Sequence, residues 1–173
     1  MRPRIHVVED NEVLRRPLQR ALQTSGYEVL AVGTGEEALT SLAATDVHLV
    51  VTDRGLPGMD GGELIRRIRI ERPALPIVMM TGHADSGLPD EIARLRVEGA
   101  LLKPFEPDAL LAVIEQALAQ GMATRPTAEG GRVGVAASGG TVGRSATLAD
   151  PNVVAMLKEK YETHSTIGEA NAG

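Results

Sequence analysis

The sequence predicts an α/β fold built on a parallel sheet of five strands, and three observations support that prediction. Short apolar runs alternate with longer amphipathic segments five times within the first 120 residues, which is the order of strands and helices in a parallel α/β domain. The third and fourth runs, HLVVT and PIVMM, are nearly continuous, as strands buried on both faces are. With 43% hydrophobic but only 2% aromatic residues, the core has to be built from aliphatic side chains.

The individual elements follow in order along the chain. Strands are predicted from the apolar runs at residues 4–8, 28–32, 48–52, 76–80 and 100–102. Helices are predicted from the amphipathic segments at residues 12–24, 36–44, 63–71, 90–98 and 107–119. Pro89 and Pro107 lie at first-turn positions, where proline is tolerated. Pro17 falls inside the first helix, where we expect a kink.

Length, charge and composition limit the classes of protein that fit. A chain of 173 residues holds one domain of ordinary size plus an appendage. It contains no cysteine, which excludes disulfides, thiolate metal ligands and a cysteine nucleophile. The net charge of -5 argues against direct nucleic-acid binding, because phosphate contacts need clustered Lys and Arg. The first apolar run is too short for a signal peptide or a membrane span, so we expect a cytoplasmic protein without membrane contacts.

The chain divides into three predicted segments. Residues 1–120 form the domain and carry 13 basic and 18 acidic residues, and therefore the whole net charge of -5. Residues 121–149 are rich in Gly, Ala, Ser and Thr and are predicted to be a flexible linker. Residues 150–173 form a short tail with one amphipathic helix, whose apolar face carries Val153, Val154, Leu157 and Tyr161. A lone helix of this length is marginal in water, so we expect it to dock on the domain or on a partner.

Polar residues follow four of the five predicted strands. They are Glu9 and Asp10 after the first, Asp53 after the third, Thr81 after the fourth, and Lys103 with Pro104 after the fifth. Ligands of parallel α/β sheets bind beyond the carboxyl ends of the strands, so we expect these residues to meet there. Three carboxylates repel one another unless a cation neutralises them, and Mg²⁺ suits carboxylate and phosphate oxygens. No histidine belongs to the group, which disfavours zinc.

This constellation predicts phosphoryl chemistry. Asp53 is the predicted nucleophile toward a phosphoryl donor, which gives an aspartyl phosphate. Lys103 is predicted to place a compact positive charge on the phosphoryl oxygens, and Thr81 a hydroxyl that can move to reach one of them. Asp53 taken alone is equally consistent with a strand-end carboxylate that caps a turn. Its combination with the other strand-end residues favours the phosphoacceptor.

These residues resemble those of a response-regulator receiver domain, the phosphoacceptor half of two-component signalling. The resemblance covers about residues 1–120. It rests on the acidic pair in VVEDNE, on DRGLPGMDG with Pro57 and Gly61, on the threonine of MMTGHA, and on KPF. It implies a CheY-like, flavodoxin-like, doubly wound sheet of five parallel strands with strand order 2-1-3-4-5, flanked by five helices. The stretches TDRGLPGMDG and ERPALPIVMMTGHA look most like receivers of hybrid histidine kinases, although the chain has no kinase core.

The resemblance also implies roles for individual residues. Asp53 is the implied phosphorylation site, with Thr81 and Lys103 beside it, and the bond before Pro104 is expected to be cis. The implied Mg²⁺ ligands are Asp10, Asp53, the carbonyl of Gly55, and Glu9 as a weaker candidate. The family usually carries Tyr or Phe as a rotamer switch three residues before the lysine, where this chain has Ala100, and the segment VEGALLKPF is shorter than usual. A readout through an aromatic ring is therefore not expected here.

The function predicted in this way is a signalling switch and not an enzyme. A sensor histidine kinase or phosphotransfer protein would phosphorylate a stand-alone receiver, a monomer or weak homodimer that acts on a downstream protein. Too few residues follow the linker for a helix-turn-helix output domain. Two alternatives remain: a phosphohydrolase, which would want a second acid where Gly55 stands, and a scaffold that binds without phosphorylation. Arg54 is expected to be solvated surface, and His83 an ordinary loop residue.

Overall fold

The five strands and five helices are all present in the computed structural model, which describes residues 2–123. The strands are β1 (Arg4–Val8), β2 (Glu28–Val32), β3 (Leu49–Asp53), β4 (Ile77–Thr81) and β5 (Gly99–Leu102). The helices are α1 (Glu12–Thr24), α2 (Gly35–Ala44), α3 (Gly61–Glu71), α4 (Leu88–Leu95) and α5 (Pro107–Ala123). The linker and tail predicted at 121–149 and 150–173 lie, apart from the last turn of α5, outside the described residues. The three-segment division stays a prediction.

The strands form one parallel sheet in the order β2-β1-β3-β4-β5, which confirms the predicted topology. The order reverses between β1 and β3, which are hydrogen-bonded neighbours with Val8 opposite Thr52. In open parallel sheets the crevice at such a switch point is the ligand site. The loops that follow β1 and β3 therefore open into the same crevice.

Each face of the sheet buries its own apolar cluster. On one face, side chains of α2, α3 and α4 pack on Val50, Ile77 and Met79. On the other face, side chains of α1 and α5 pack on Leu49, Val51, Val78 and Met80. Consecutive residues of β3 and β4 therefore enter opposite clusters, and both strands are buried along their whole length. This explains why their sequences are continuously apolar.

Side-chain caps begin three of the helices. Asn11, Thr34 and Asp60 accept hydrogen bonds from backbone N–H groups in the first turns of α1, α2 and α3. Pro17 lies inside α1, which continues past it to Thr24. Of residues 2–123, none forms a helix with both the length and the apolar content that a membrane crossing needs.

The predicted position of the fourth helix is wrong by two to three residues. We predict residues 90–98, whereas α4 begins at Leu88 and ends at Leu95. Its end is set by Arg96, which takes a left-handed conformation with φ 52°. A residue with a side chain seldom adopts that conformation, so the sequence carries no signal for this ending. Pro89 lies in the first turn, as predicted.

Candidate functional site

The predicted site residues meet at the carboxyl ends of β1, β3, β4 and β5. Glu9 and Asp10 begin the loop after β1, while Asp53 and Thr81 are the last residues of β3 and β4. The N–H of Glu9 donates to a β2 carbonyl at 3.1 Å, so the backbone there is still part of the sheet. Lys103 follows β5, and its N–H donates to the Thr81 carbonyl at 2.7 Å. The sheet itself therefore positions the side chains of the site.

Most of this polar cluster is shielded from water. Glu9 is 1% exposed, Thr81 3% and Asp53 9%, whereas Asp10 is exposed. A carboxylate buried without a partner is strongly destabilising. Glu9 and Asp53 therefore need a cation beside them.

Lys103 is that cation. Its Nζ lies 2.6 Å from Oε2 of Glu9 and 3.1 Å from Oδ2 of Asp53. Burial by itself lowers the pKa of Lys103, but the hydrogen bonds and charges of Glu9 and Asp53 outweigh it and raise the pKa above its ordinary value. The ammonium is therefore charged at neutral pH. Three carboxylates beside one ammonium leave the site with excess negative charge.

The acidic residues also fit a divalent cation. One carboxylate oxygen from each of Glu9, Asp10 and Asp53 lies within 4.8 Å of the others. These are hard oxygen donors, and the exposure of Asp10 leaves one side open to the water ligands that Mg²⁺ retains. A Cβ added to Gly55 would lie 3.9 Å from Oδ2 of Asp53, so the Gly55 backbone borders the same carboxylate. The donor set and its excess charge fit a hard divalent cation such as Mg²⁺.

Thr81 presents a hydroxyl whose partners are close in sequence. Its Oγ1 lies 2.9 Å from the carbonyl oxygen of His83 and accepts from the His83 N–H at 3.2 Å. A hydroxyl has one proton to donate. Thr81 can therefore serve a new oxygen in the crevice only by releasing the His83 carbonyl.

Backbone contacts hold the loops of the site, and sequence reasoning missed one of them. Nη1 of Arg15, on α1, donates to the carbonyl of Glu9 at 2.6 Å and of Asp10 at 3.2 Å. An arginine in the first turn after an acidic pair is the signal that was available, although its carbonyl targets cannot be read from sequence. At Gly61 a Cβ would lie 2.1 Å from the carbonyl oxygen of Asp53. Glycine is therefore required there by close backbone approach.

Three further predicted features have these positions. The bond between Lys103 and Pro104 is cis, as the resemblance implies. Ala100 is 4% exposed and belongs to the apolar cluster under α4. The interpretation of Arg54 as solvated surface is wrong, because its side chain is 27% exposed and forms two ion pairs. Its partners come from the loop after β4 and from α4, which the sequence alone does not place.

A family model described as the response regulator receiver domain matches residues 5–115. This chain belongs to that family. Receiver domains are phosphoacceptor switches of two-component systems, and phosphorylation and Mg²⁺ binding are typical of them. They interact with histidine kinases or phosphotransfer proteins. The expected similarity to receivers of hybrid histidine kinases in particular stays a prediction.

Relatives of this receiver domain include longer regulators. The transcriptional regulatory protein FixJ of Bradyrhizobium diazoefficiens is 36% identical over 116 residues, 67% of this chain and 57% of the relative. The DNA-binding transcriptional regulator NtrC of Salmonella typhimurium is 34% identical over 117 residues, 66% of this chain and 24% of the relative. The chain therefore spans between a quarter and just over half of their lengths. The crystal structure of a signal receiver domain from Pseudomonas fluorescens matches with TM-score 0.67 and 31% identity, over 71% of this chain and 99% of that one.

Proposed function

We propose that this receiver is a phosphorylation switch that accepts a phosphoryl group on Asp53 from a histidine kinase or phosphotransfer protein and signals by protein contacts. One observation carries the proposal. The Asp53 carboxylate lies at the end of β3 within reach both of two further carboxylates and of Lys103 Nζ at 3.1 Å. A lone strand-end aspartate has no need of such neighbours. A carboxylate that takes on a phosphoryl group needs cationic charge on two sides.

In the transfer step, an oxygen of the Asp53 carboxylate forms a bond to phosphorus while the bond from phosphorus to the donor atom breaks. The donor leaves with that electron pair, and an acyl phosphate remains on Asp53. Asp10, Asp53, the Gly55 carbonyl and Glu9 would hold Mg²⁺, which supplies neutralisation of the phosphoryl charge when bound. These residues position the carboxylate for in-line attack, which is most of the catalysis in phosphoryl transfer.

Lys103 and Thr81 would act on the phosphoryl oxygens. The ammonium of Lys103 can exchange its contact with Asp53 for one with a phosphoryl oxygen while it keeps Glu9 at 2.6 Å. Glu9 and Asp53 raise its pKa, so Lys103 is charged when the phosphoryl donor arrives. The Thr81 hydroxyl can donate to another phosphoryl oxygen once it releases the His83 carbonyl. Lys103 would therefore stabilise the phosphorylated state by its charge, and Thr81 would change its hydrogen-bond partner when the phosphoryl group is bound.

The proposal is tested by intact-protein mass spectrometry after incubation with acetyl phosphate, with Mg²⁺ or with EDTA. Wild type should gain one phosphoryl adduct that requires the metal, and Asp53→Asn should gain none. The matched control is Asp60→Asn, because Asp60 caps α3 outside the cluster and asparagine caps equally well. An adduct that persists in Asp53→Asn, or a folded wild type without any adduct, would refute the proposal.

A second candidate function is a scaffold that binds its partner without phosphorylation. It is favoured by Ala100, a small residue where the family usually carries an aromatic switch. This candidate predicts that Asp53→Asn keeps full partner affinity, whereas the leading proposal predicts that affinity depends on phosphorylation. A phosphohydrolase is less favoured, because Gly55 stands where that chemistry wants a second acid. Cytoplasmic location, a monomeric or weakly dimeric state and the lack of direct nucleic-acid binding stay predictions.

A further inference from the structure

Arg54 links the phosphoacceptor strand to the α4 region through two ion pairs. It directly follows Asp53, and its N–H still donates to the Met80 carbonyl of β4 at 2.7 Å. Its Nη1 lies 2.8 Å from Oδ2 of Asp85, and its Nη2 lies 2.8 Å from Oε2 of Glu91. The hydrogen bond to Asp85 is the main cause that raises the pKa of Arg54, so the guanidinium is always charged. One side chain therefore joins β3 to two separate segments.

The two acids differ in what they are attached to. Asp85 lies in the loop between Thr81 and α4 and is half-exposed, and its other oxygen accepts from the N–H of Gly87 at 3.0 Å. Glu91 is in the first turn of α4, its side chain is only 17% exposed, and it lies against α3 at Gly62. Arg54 thus holds the loop with one arm and the helix with the other.

The loop that carries Asp85 begins after Thr81, whose hydroxyl responds to the phosphoryl group in the proposed function. In the present state Thr81 bonds the backbone of His83, two residues before Asp85. If Thr81 releases the His83 carbonyl to bond a phosphoryl oxygen, the loop loses one of its two hydrogen bonds to Thr81 at that end. Among the described residues, the Arg54–Asp85 ion pair is the side-chain contact that ties this loop to the residue directly after β3. A change in the hydrogen bonds of Thr81 therefore alters the load on the Arg54–Asp85 ion pair, because both contacts hold the same loop.

We propose that Arg54 couples phosphorylation of Asp53 to the position of α4, with the Asp85 pair broken and the Glu91 pair kept in the phosphorylated state. The inference rests on the proposed phosphorylation of Asp53. Ala100 leaves the usual aromatic readout without a side chain, because a methyl group cannot swing between a buried and an exposed rotamer, so a coupling has to run through other residues. A ligand shifts a two-state element only through contacts that differ between the states, and the Asp85 pair is such a contact.

Two measurements on the full chain test the coupling. Asp85→Asn should be phosphorylated by acetyl phosphate about threefold faster than wild type, because a pair of typical surface strength then no longer holds the unphosphorylated state. Amide hydrogen exchange in residues 84–95 should change on phosphorylation of wild type. In Arg54→Ala that change should fall by about threefold or more, while the adduct still forms.

The matched control is Arg67→Ala, which removes an arginine whose ion pair with Glu63 lies on the surface of α3. It should leave both the phosphorylation rate and the exchange response as in wild type. An exchange response in Arg54→Ala equal to that of wild type would overturn the coupling and leave the phosphorylation proposal intact. A rate for Asp85→Asn no faster than wild type would do the same. A wild type that takes no phosphoryl group would overturn both proposals.

Discussion

Replacement of the buried histidine of β1 should remove a defined part of the acid sensitivity of the fold. His6 is 0% exposed in the middle of β1, where it is paired with Leu30 of β2 on one side and Val50 of β3 on the other. Burial lowers the pKa of His6 from 6.5 to about 4. The ring is therefore neutral in the folded protein at neutral pH, and protonation has to work against folding.

The hydrogen bonds of the ring explain why protonation is unfavourable. The Ser41 hydroxyl donates to the Ala38 carbonyl at 3.0 Å, so it can only accept from Nε2 of His6, with which it is in contact. The proton of the neutral ring is thereby assigned to Nε2. Nδ1 is a buried atom without a hydrogen-bond partner in the described part of the chain. A second proton there would be a buried charge with no acceptor.

The size and sign of the effect follow from linkage. Because the folded pKa lies below the unfolded value, the stabilisation is complete above the unfolded pKa of 6.5 and is lost as pH falls toward about 4. One pKa unit corresponds to about 1.4 kcal/mol, so the full loss is about 3 kcal/mol and the loss between pH 7 and pH 5 about 2 kcal/mol. A domain of this size has only about 5–15 kcal/mol to lose.

The assay is urea unfolding of wild type and His6→Leu at pH 7, 6 and 5. Wild type should lose about 2 kcal/mol more than His6→Leu between the two extremes, whatever the stability of the variant at pH 7. His83→Gln, which replaces an exposed histidine, should keep the wild-type pH dependence. If wild type and His6→Leu lose stability in parallel, the argument from burial is refuted.

Three further predictions concern the candidate site. Lys103→Met should lower the free energy of unfolding by about 3 kcal/mol in EDTA, because Glu9 is left buried and unpaired, and Mg²⁺ should restore part of it in thermal unfolding; an unchanged Tm in EDTA would contradict this. Arg15→Ala should weaken Mg²⁺ binding about threefold by calorimetry, because the carbonyls of Glu9 and Asp10 lose their donor. The control Arg16→Ala, at an exposed arginine, should leave Mg²⁺ binding unchanged. Gly61→Ala should cost at least 2 kcal/mol in urea unfolding, since a Cβ meets a carbonyl oxygen at 2.1 Å, whereas Gly82→Ala, with nothing within 4 Å, should cost less than about 1 kcal/mol; similar losses would refute the close approach.

The sequence was sufficient for the strands and for the residues at their ends. β1 and β2 have the predicted bounds, β3 and β4 are each shifted by one residue toward the C-terminus, and β5 begins one residue earlier than predicted. Periodicity and burial leave a direct record in the composition of a strand. Once the strands are parallel, residues such as Asp53 and Thr81 have to share an edge of the sheet. This part of the site needs no knowledge of loop structure.

The remaining features depend on tertiary contacts that leave no local pattern. The partners of Arg54 come from a loop and a helix that pack beside it only in the folded chain, and Asp85 is 31 positions away. The end of α4 depends on the left-handed backbone conformation of Arg96, which the neighbouring residues do not predict. Arg15 bonds backbone carbonyls, and every residue has a carbonyl. For Arg54 and Arg15 the sequence shows the residue but not its binding partner, and for Arg96 it does not show the backbone conformation.

The contact between Lys103 and Glu9 joins residues 94 positions apart in the chain, and this spacing has a consequence for synthesis. The acidic residues leave the ribosome long before the lysine that neutralises them. A nascent chain that stops short of β5 has the carboxylates but neither the ammonium nor the strand that carries it. Under the proposed function, only a chain that has completed the sheet has both the acceptor carboxylate and the ammonium beside it, so phosphorylation by a kinase would also select finished receivers over incomplete ones.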